Sequence, residues 1–205
     1  MTSNFKKYFI QIITTLGVTQ NIYGVLPPTI NVVKRSAFTR NDCKMLISQH
    51  ESQNKIPTGL LTAIADVESE FGPYAVNCNG RSRQFTNIAE AKAYVTGLRN
   101  QGIIDINIGP LQINYAYHQT KFTNAAAILD PYQNITYAAK YLVYLKKVHG
   151  SWVKAVKFYH SPNVRCQNIY ITKVMNCLKR IDHDTYREMM AVKNISLKPA
   201  RAIYK

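Results

Sequence analysis

Apolar residues recur at helical spacing in several stretches of the chain and give way to extended patterning in two. Thr39 opens the run TRND, a capping-box pattern with Asp42 three residues on, and Cys43, Leu46, Ile47 and His50 follow it; this predicts a helix over about 40–53. In the stretch from Lys55 to Gly72, Pro57 suits a first helical turn and Gly72-Pro73 a stop, while Leu60, Leu61, Ile64, Val67 and Phe71 form one apolar stripe between them. Tyr74 to Cys78, an Asn79-Gly80 turn and a polar arm to Phe85 predict a small hairpin. A helix is expected from about Ala89 to Asn100, closed by Gly102, and then extended chain over Ile103–Asn114, bent at Gly109-Pro110. Asp130-Pro131 starts a helix that Gly150 ends, and Ser151 caps a shorter one carrying Trp152, Ala155, Val156 and Tyr159. Beyond Pro162, a last helix over about 167–180 is marked by Ile169, Val174, Cys177, Leu178 and Ile181, and from Asp182 the pattern dissolves into a basic tail. The fold class this predicts is mainly α, with a small β-hairpin inserted after the second helix.

One side chain disagrees with its surroundings. At about 100° per residue the stripe of the second helix spans roughly 120°, and Glu68 lies inside it, whereas Asp66 and Glu70 project outside. A carboxylate facing a core is disfavoured unless paired or protonated, so Glu68 is expected to carry a raised pKa, the property a general acid needs near neutral pH. The plain alternative places Glu68 at the edge of the stripe, reaching solvent or an ion pair.

The 205 residues suffice for one core, and 46% hydrophobic residues argue against a disordered chain. The net charge of +15 points to an acidic partner surface without choosing among nucleic acid, anionic lipid and an anionic wall polymer. Lys6 and Lys7 ahead of a short apolar run, Tyr8 to Val18, read as a secretory signal, weakened by Gln11, Thr14 and Thr15 within the run. The expected organisation is therefore a signal peptide over 1–24, a linker over 25–38 with two prolines, one domain over 39–181, and the tail over 182–205. Four cysteines without metal-like spacing suit up to two disulfides. On one helix Cys166 and Cys177 would lie about 16 Å apart, which favours Cys43 with Cys177 and Cys78 with Cys166. Cys43 with Cys78, or four reduced thiols, remain open.

No GxSxG elbow, Walker loop or paired CxxC is present, and no metal or cofactor is expected. Lys and Arg are spread over many segments rather than gathered on one recognition helix, which argues against a nucleic-acid partner. Glycoside cleavage suits a protonated carboxyl better; the candidates for the second acid that most such enzymes use are Glu70, Asp105 and Asp130.

Three ordered blocks carry a resemblance: Val67-Glu68-Ser69, Ile108-Gly109-Pro110-Leu111-Gln112-Ile113-Asn114, and Ala155-Val156-Lys157-Phe158-Tyr159-His160-Ser161, with Asp130-Pro131 and Asn134 ahead of the AAKYL helix. From about Asp42 to Lys179 the chain resembles the lytic transglycosylases of the Slt type. That resemblance implies a lysozyme-like α+β fold and Glu68 as sole catalytic acid and base. The bond cut would be the β-1,4 linkage between N-acetylmuramic acid and N-acetylglucosamine in peptidoglycan, leaving a 1,6-anhydro end. It implies further that Tyr159 brings its hydroxyl to Glu68 and that Ser69 orders the substrate or the Glu68 helix. Gln112 would bond a sugar, Gly109 would let backbone approach the glycan, and Asn114 and His160 would complete the substrate contacts. Tyr115, Tyr117 and Tyr132 are candidate sugar-stacking rings.

The family often has Gly-Leu-Met-Gln where this chain has Gly109-Pro110-Leu111-Gln112, and Tyr-Asn where it has Tyr159-His160. The implied partner is a peptidoglycan strand, with a secretion or envelope-spanning machine as a further one, no membrane span after signal removal, and a location in the periplasm or at the wall. A hydrolytic muramidase of the goose-lysozyme kind and a non-catalytic wall-binding module of a secretion apparatus are the alternatives.

Overall fold

The computed structural model describes residues 37–191. The expected signal run, most of the expected linker and residues 192–205 lie outside the described residues.

Helix α1 spans Arg40–Gln53 and opens on the expected capping box, in which the Thr39 hydroxyl accepts from the Asp42 amide at 3.1 Å and the Thr39 amide donates to the Asp42 carboxylate at 2.8 Å. Helix α2, Leu60–Ser69, begins later than the position of Pro57 suggested. The reason is Gly59, which takes φ +78° immediately ahead of it, packed so closely on α8, Val164–Ile181, that a Cβ there would lie 2.9 Å from Ile181. Because Gly59 offers no capping side chain, the cap comes from α1. The buried Glu51 carboxylate accepts from the Gly59 amide at 2.9 Å and the Thr62 amide at 2.8 Å.

The hairpin forms as expected, β1 (Ala75–Cys78) with β2 (Arg81–Gln84), and is followed by α3, Ile88–Asn100. The bent stretch after α3 supplies two more strands, β3 (Ile106–Ile108) and β4 (Ile113–Asn114). They extend the hairpin into an antiparallel sheet of order β2-β1-β3-β4, in which Val76 pairs with Ile108 and Asn107 with Asn114. Two short helices that the pattern did not reveal follow, α4 (Tyr115–His118) and α5 (Ala125–Leu129). Then come α6 (Pro131–His149), capped by Asp130, and α7 (Trp152–His160), capped by Ser151.

Helix persists beyond Asp182, where a tail was expected. Asp182 accepts from the Thr185 amide at 2.8 Å, and α9, His183–Ala191, buries Thr185 and Met189 against α8. Two apolar anchors at i and i+4 suffice for a one-sided helix, too little periodicity to stand out in a basic sequence.

Leu60, Leu61 and Ile64 of α2 and Ile171, Val174 and Leu178 of α8 are all buried to 1% exposure or less. Each such side chain contributes roughly 1.5–3 kcal/mol relative to leaving it in water. The expected disulfides are absent: all four cysteines are free, Cys166 is exposed, and the buried Cys177 thiol donates to the Asp66 carboxylate at 2.9 Å instead of meeting Cys43. Among the described residues no helix is long and apolar enough to cross a membrane, and no cluster of ligating side chains is placed to hold a metal ion.

Candidate active site

Glu68 sits in the final turn of α2, where Leu61, Ile64 and Ala65 are fully buried and the carboxylate is only part-exposed. The helix stops one residue later. Glu70 and Phe71 both take left-handed backbone, φ 52° and 63°, an arrangement non-glycine residues adopt at a cost of about 1–3 kcal/mol each. This stop turns the chain into β1 and leaves Glu68 at the helix end facing a groove.

Burial pushes the Glu68 carboxyl up to about 7, against the pull of a hydrogen bond from Tyr170 and of the Lys173 charge, both of which favour the ionised form. The Tyr170 hydroxyl donates to Glu68 Oε1 at 2.6 Å. Two cavities meet at this carboxylate. One, of about 550 Å³, is lined by Glu68, Asp105, Gln112, Asn114, Tyr117 and Tyr159 among others; the second, of about 300 Å³, by Arg40, Asp66, Glu68, Ser82, Gln84 and Gln112. A groove therefore continues on both sides of Glu68, with Gln112 opposite it along both.

The remaining expected residues fall into two sets. Gln112, Asn114, Tyr159 and His160 line the larger cavity with Glu68. Gln112 takes φ 45° and its side-chain amide donates to the Gly109 carbonyl at 2.9 Å, which holds it at the groove. Asn114 caps α4 and donates to Asp105 at 2.7 Å and Asn107 at 3.0 Å.

Ser69 lines the smaller cavity beside Glu68, whereas Gly109 lies outside both linings. The buried Ser69 hydroxyl donates to the Pro110 carbonyl at 2.7 Å and accepts from the Gly72 amide at 3.0 Å. Its one proton is thereby engaged in ordering the Glu68 helix against the β3–β4 turn. Gly109 has φ +80°, and a Cβ on it would lie 2.5 Å from the Asn134 amide nitrogen, so this glycine permits the close approach of Asn134. Fully buried, Asn134 donates to the Ile108 and Ile128 carbonyls at 2.8 and 3.1 Å and accepts from the Leu111 amide at 3.2 Å, pinning the whole turn.

Tyr159 stands beside Glu68 in the cavity, but its hydroxyl donates to the Leu111 carbonyl at 2.8 Å. The hydrogen bond expected from it comes from Tyr170, which sequence reasoning missed. A signal was present: Tyr170 precedes Val174, Cys177 and Leu178 by four, seven and eight residues, a polar-tipped ring on an apolar helical stripe, the same mismatch that singled out Glu68. Of the three candidate stacking rings, Tyr115 is buried, Tyr132 packs edge-on to His50, and Tyr117, 80% exposed, stands at the rim of the larger cavity. Among the candidate second acids, Asp130 caps α6, Glu70 lines the smaller cavity with Glu68 but pairs with Arg40 at 3.5 Å, and Asp105 shares the larger cavity with Glu68.

Comparison with known families gives one match, to the Transglycosylase SLT domain over residues 45–169, more than half of the chain and inclusive of every groove residue named above except Arg40 and Tyr170. No curated protein and no solved structure matches.

Proposed function

The chain belongs to the Transglycosylase SLT domain family, and on that premise we propose that it is a peptidoglycan lytic transglycosylase in which Glu68 is the single acid and base. The observation that carries this reading is a carboxyl held near pKa 7 by burial, at the point where a groove passes on both sides. A group with that pKa is substantially protonated at neutral pH yet accepts a proton back, as a residue serving both half-reactions must.

In the proposed reaction a glycan strand lies along the groove with its β-1,4 bond between N-acetylmuramic acid and N-acetylglucosamine over Glu68. The carboxyl proton passes to the glycosidic oxygen as the bond from muramyl C1 to that oxygen breaks. The muramyl N-acetyl group supports C1 from the opposite face. The muramyl C6 hydroxyl oxygen then bonds to C1, and its proton passes to the Glu68 carboxylate. One C–O bond is exchanged for another, no water is consumed, and Glu68 ends protonated as it began, which is why no second carboxylate is required. Gln112 and Asn114 supply polar contacts to the sugars, and Tyr159 forms the cavity wall by holding the Leu111 carbonyl. Export to the periplasm or wall follows from the substrate.

Mass spectrometry of fragments released from purified peptidoglycan tests this. Anhydro-ended muropeptides are expected from the wild-type chain and none from Glu68→Gln. Asp105, facing the same cavity, supports one other outcome: reducing ends in place of anhydro ends would mean that water is the acceptor and the chain a muramidase.

A further inference from the structure

Around Glu68 the groups are unevenly matched to the family pattern. Two tyrosines stand close to it, both buried deeply enough that their hydroxyls stay protonated far above neutral pH. Only one is aimed at the carboxylate. Tyr159 of α7 donates its hydrogen bond to the Leu111 carbonyl, whereas Tyr170 of α8, 4% exposed, donates its own to Glu68 at 2.6 Å. Tyr170 is itself held. The ring of His160, the residue at which this chain departs from the family's Tyr-Asn pair, lies flat on it with centroids 4.3 Å apart and planes 5° from parallel. His160 is exposed and lines the larger cavity, so its ring stands between Tyr170 and the groove.

We propose that Tyr170, clamped from the groove side by the stacked ring of His160, is the positioning residue that fixes the Glu68 carboxylate for proton transfer, the part that the family motif would give to Tyr159. This rests on the reading of Glu68 as the acid. The geometry makes the two departures one device. Since Tyr159 is engaged in holding the Gly109–Gln112 turn, a second donor is needed for Glu68; since that donor comes from α8, something must fill the space between its ring and the groove, and a flat side chain at position 160 does so. A short bond from a fixed hydroxyl leaves one carboxylate oxygen occupied and the other free to face the glycosidic oxygen. His160 is consequently a shelf for Tyr170 rather than a sugar donor, and burial together with the Lys173 charge holds its imidazole below the ordinary pKa.

The ionisable groups that share Glu68's surroundings are Tyr159 and His160 of α7, Tyr170 and Lys173 of α8, Tyr117, His118, Tyr141 and Asp105 around the larger cavity, and Asp66, Glu70 and Arg40 around the smaller one. His118 is also held below its ordinary value by burial, and the charge that bears on Glu68 is that of Lys173. Of these groups only Tyr170 donates a hydrogen bond to the carboxylate, so the removal of its hydroxyl has a signature of its own.

The test is a titration of Glu68, followed by carbon-13 resonance of labelled glutamate carboxyls and assigned with Glu68→Gln, in wild type, Tyr170→Phe and Tyr159→Phe. It is paired with pH profiles of fragment release from peptidoglycan. Loss of a donor that favours the ionised form moves the Glu68 midpoint upward in Tyr170→Phe, carries the alkaline limb of the profile with it and lowers kcat/KM about 10- to 100-fold. Tyr159→Phe leaves the Glu68 midpoint where it is. His160→Ala lowers kcat, and His160→Phe restores most of it, because a shelf needs a ring and not a hydrogen bond. An unchanged midpoint in Tyr170→Phe, or a His160→Phe as impaired as His160→Ala, overturns the proposal. A wild-type chain that releases no fragments overturns the function reading instead, and the resonance titration still decides the Tyr170 contact.

Discussion

Glu68 is suited to the proposed chemistry because it is uncomfortable where it is. Its ordinary value of 4.5 rises to about 7 in the folded chain, so between those pH values the native state holds a proton that the unfolded state has lost. A raised folded pKa contributes stability that is fully present below the unfolded value and is lost as pH climbs through the folded one. Thermal melting of wild type is therefore expected to fall between about pH 4.5 and 7, and Glu68→Gln to show a weaker decline and a higher melting temperature than wild type at pH 8. Equal pH slopes in the two proteins would mean that Glu68 is not desolvated. Gly109 is a second residue whose identity is set by its surroundings. Gly109→Ala must place a Cβ against the Asn134 amide at φ +80° and is expected to lose roughly 2–4 kcal/mol in urea unfolding, from left-handed strain together with a disturbed buried amide.

At the level of elements, α2 depends on its neighbour. Its N-terminal amides have no cap of their own, and Glu51 reaches across from α1 to accept from the Gly59 and Thr62 amides and from the Thr62 hydroxyl at 3.1 Å. Burial raises the Glu51 pKa while these bonds oppose the rise, so the side chain serves only while both helices are docked. Glu51→Ala removes one acceptor group from three donors and is expected to cost about 2–4 kcal/mol, with lost peptidoglycan cleavage recovered at lower temperature. A cap supplied by a side chain eight residues upstream of Gly59 has no fixed sequence offset, which is why the start of α2 was misplaced while α1, α6 and α7, capped by Thr39, Asp130 and Ser151 at their own first turns, were legible. The sheet shows the same contrast: the Asn79-Gly80 hairpin is local, but β3 joins β1 through a connection that contains all of α3.

Over the whole molecule, 26 basic residues face 11 acidic ones, and four of those acids, Asp66, Glu68, Glu70 and Asp105, line the two cavities. The positive field of the chain therefore does not arise from the cavity linings, which hold more acids than Lys or Arg. Such a field attracts an anionic wall polymer from a distance and is screened within about 10 Å at 0.1 M salt. Raising salt from about 50 to 300 mM is expected to raise KM for peptidoglycan several-fold while kcat holds. A fall in kcat at constant KM would place the cations at the reacting bond.

Read alone, the chain determined the six longer helices, the hairpin, the acid on an apolar stripe and, through three ordered blocks, the family. These are written in short-range terms: a period of 3.6, a cap at a fixed offset, a motif of a few neighbours. Tertiary structure decided which tyrosine meets Glu68, that Gly109 makes room for Asn134, that Ser69 spends its proton on Pro110, and that the cysteines stay apart. Each of these is a contact between residues 25 to more than 100 positions apart, or the lack of one. Hydrogen-bond reach of about 3 Å is finer than any spacing rule, so only packed helices settle where such a proton goes.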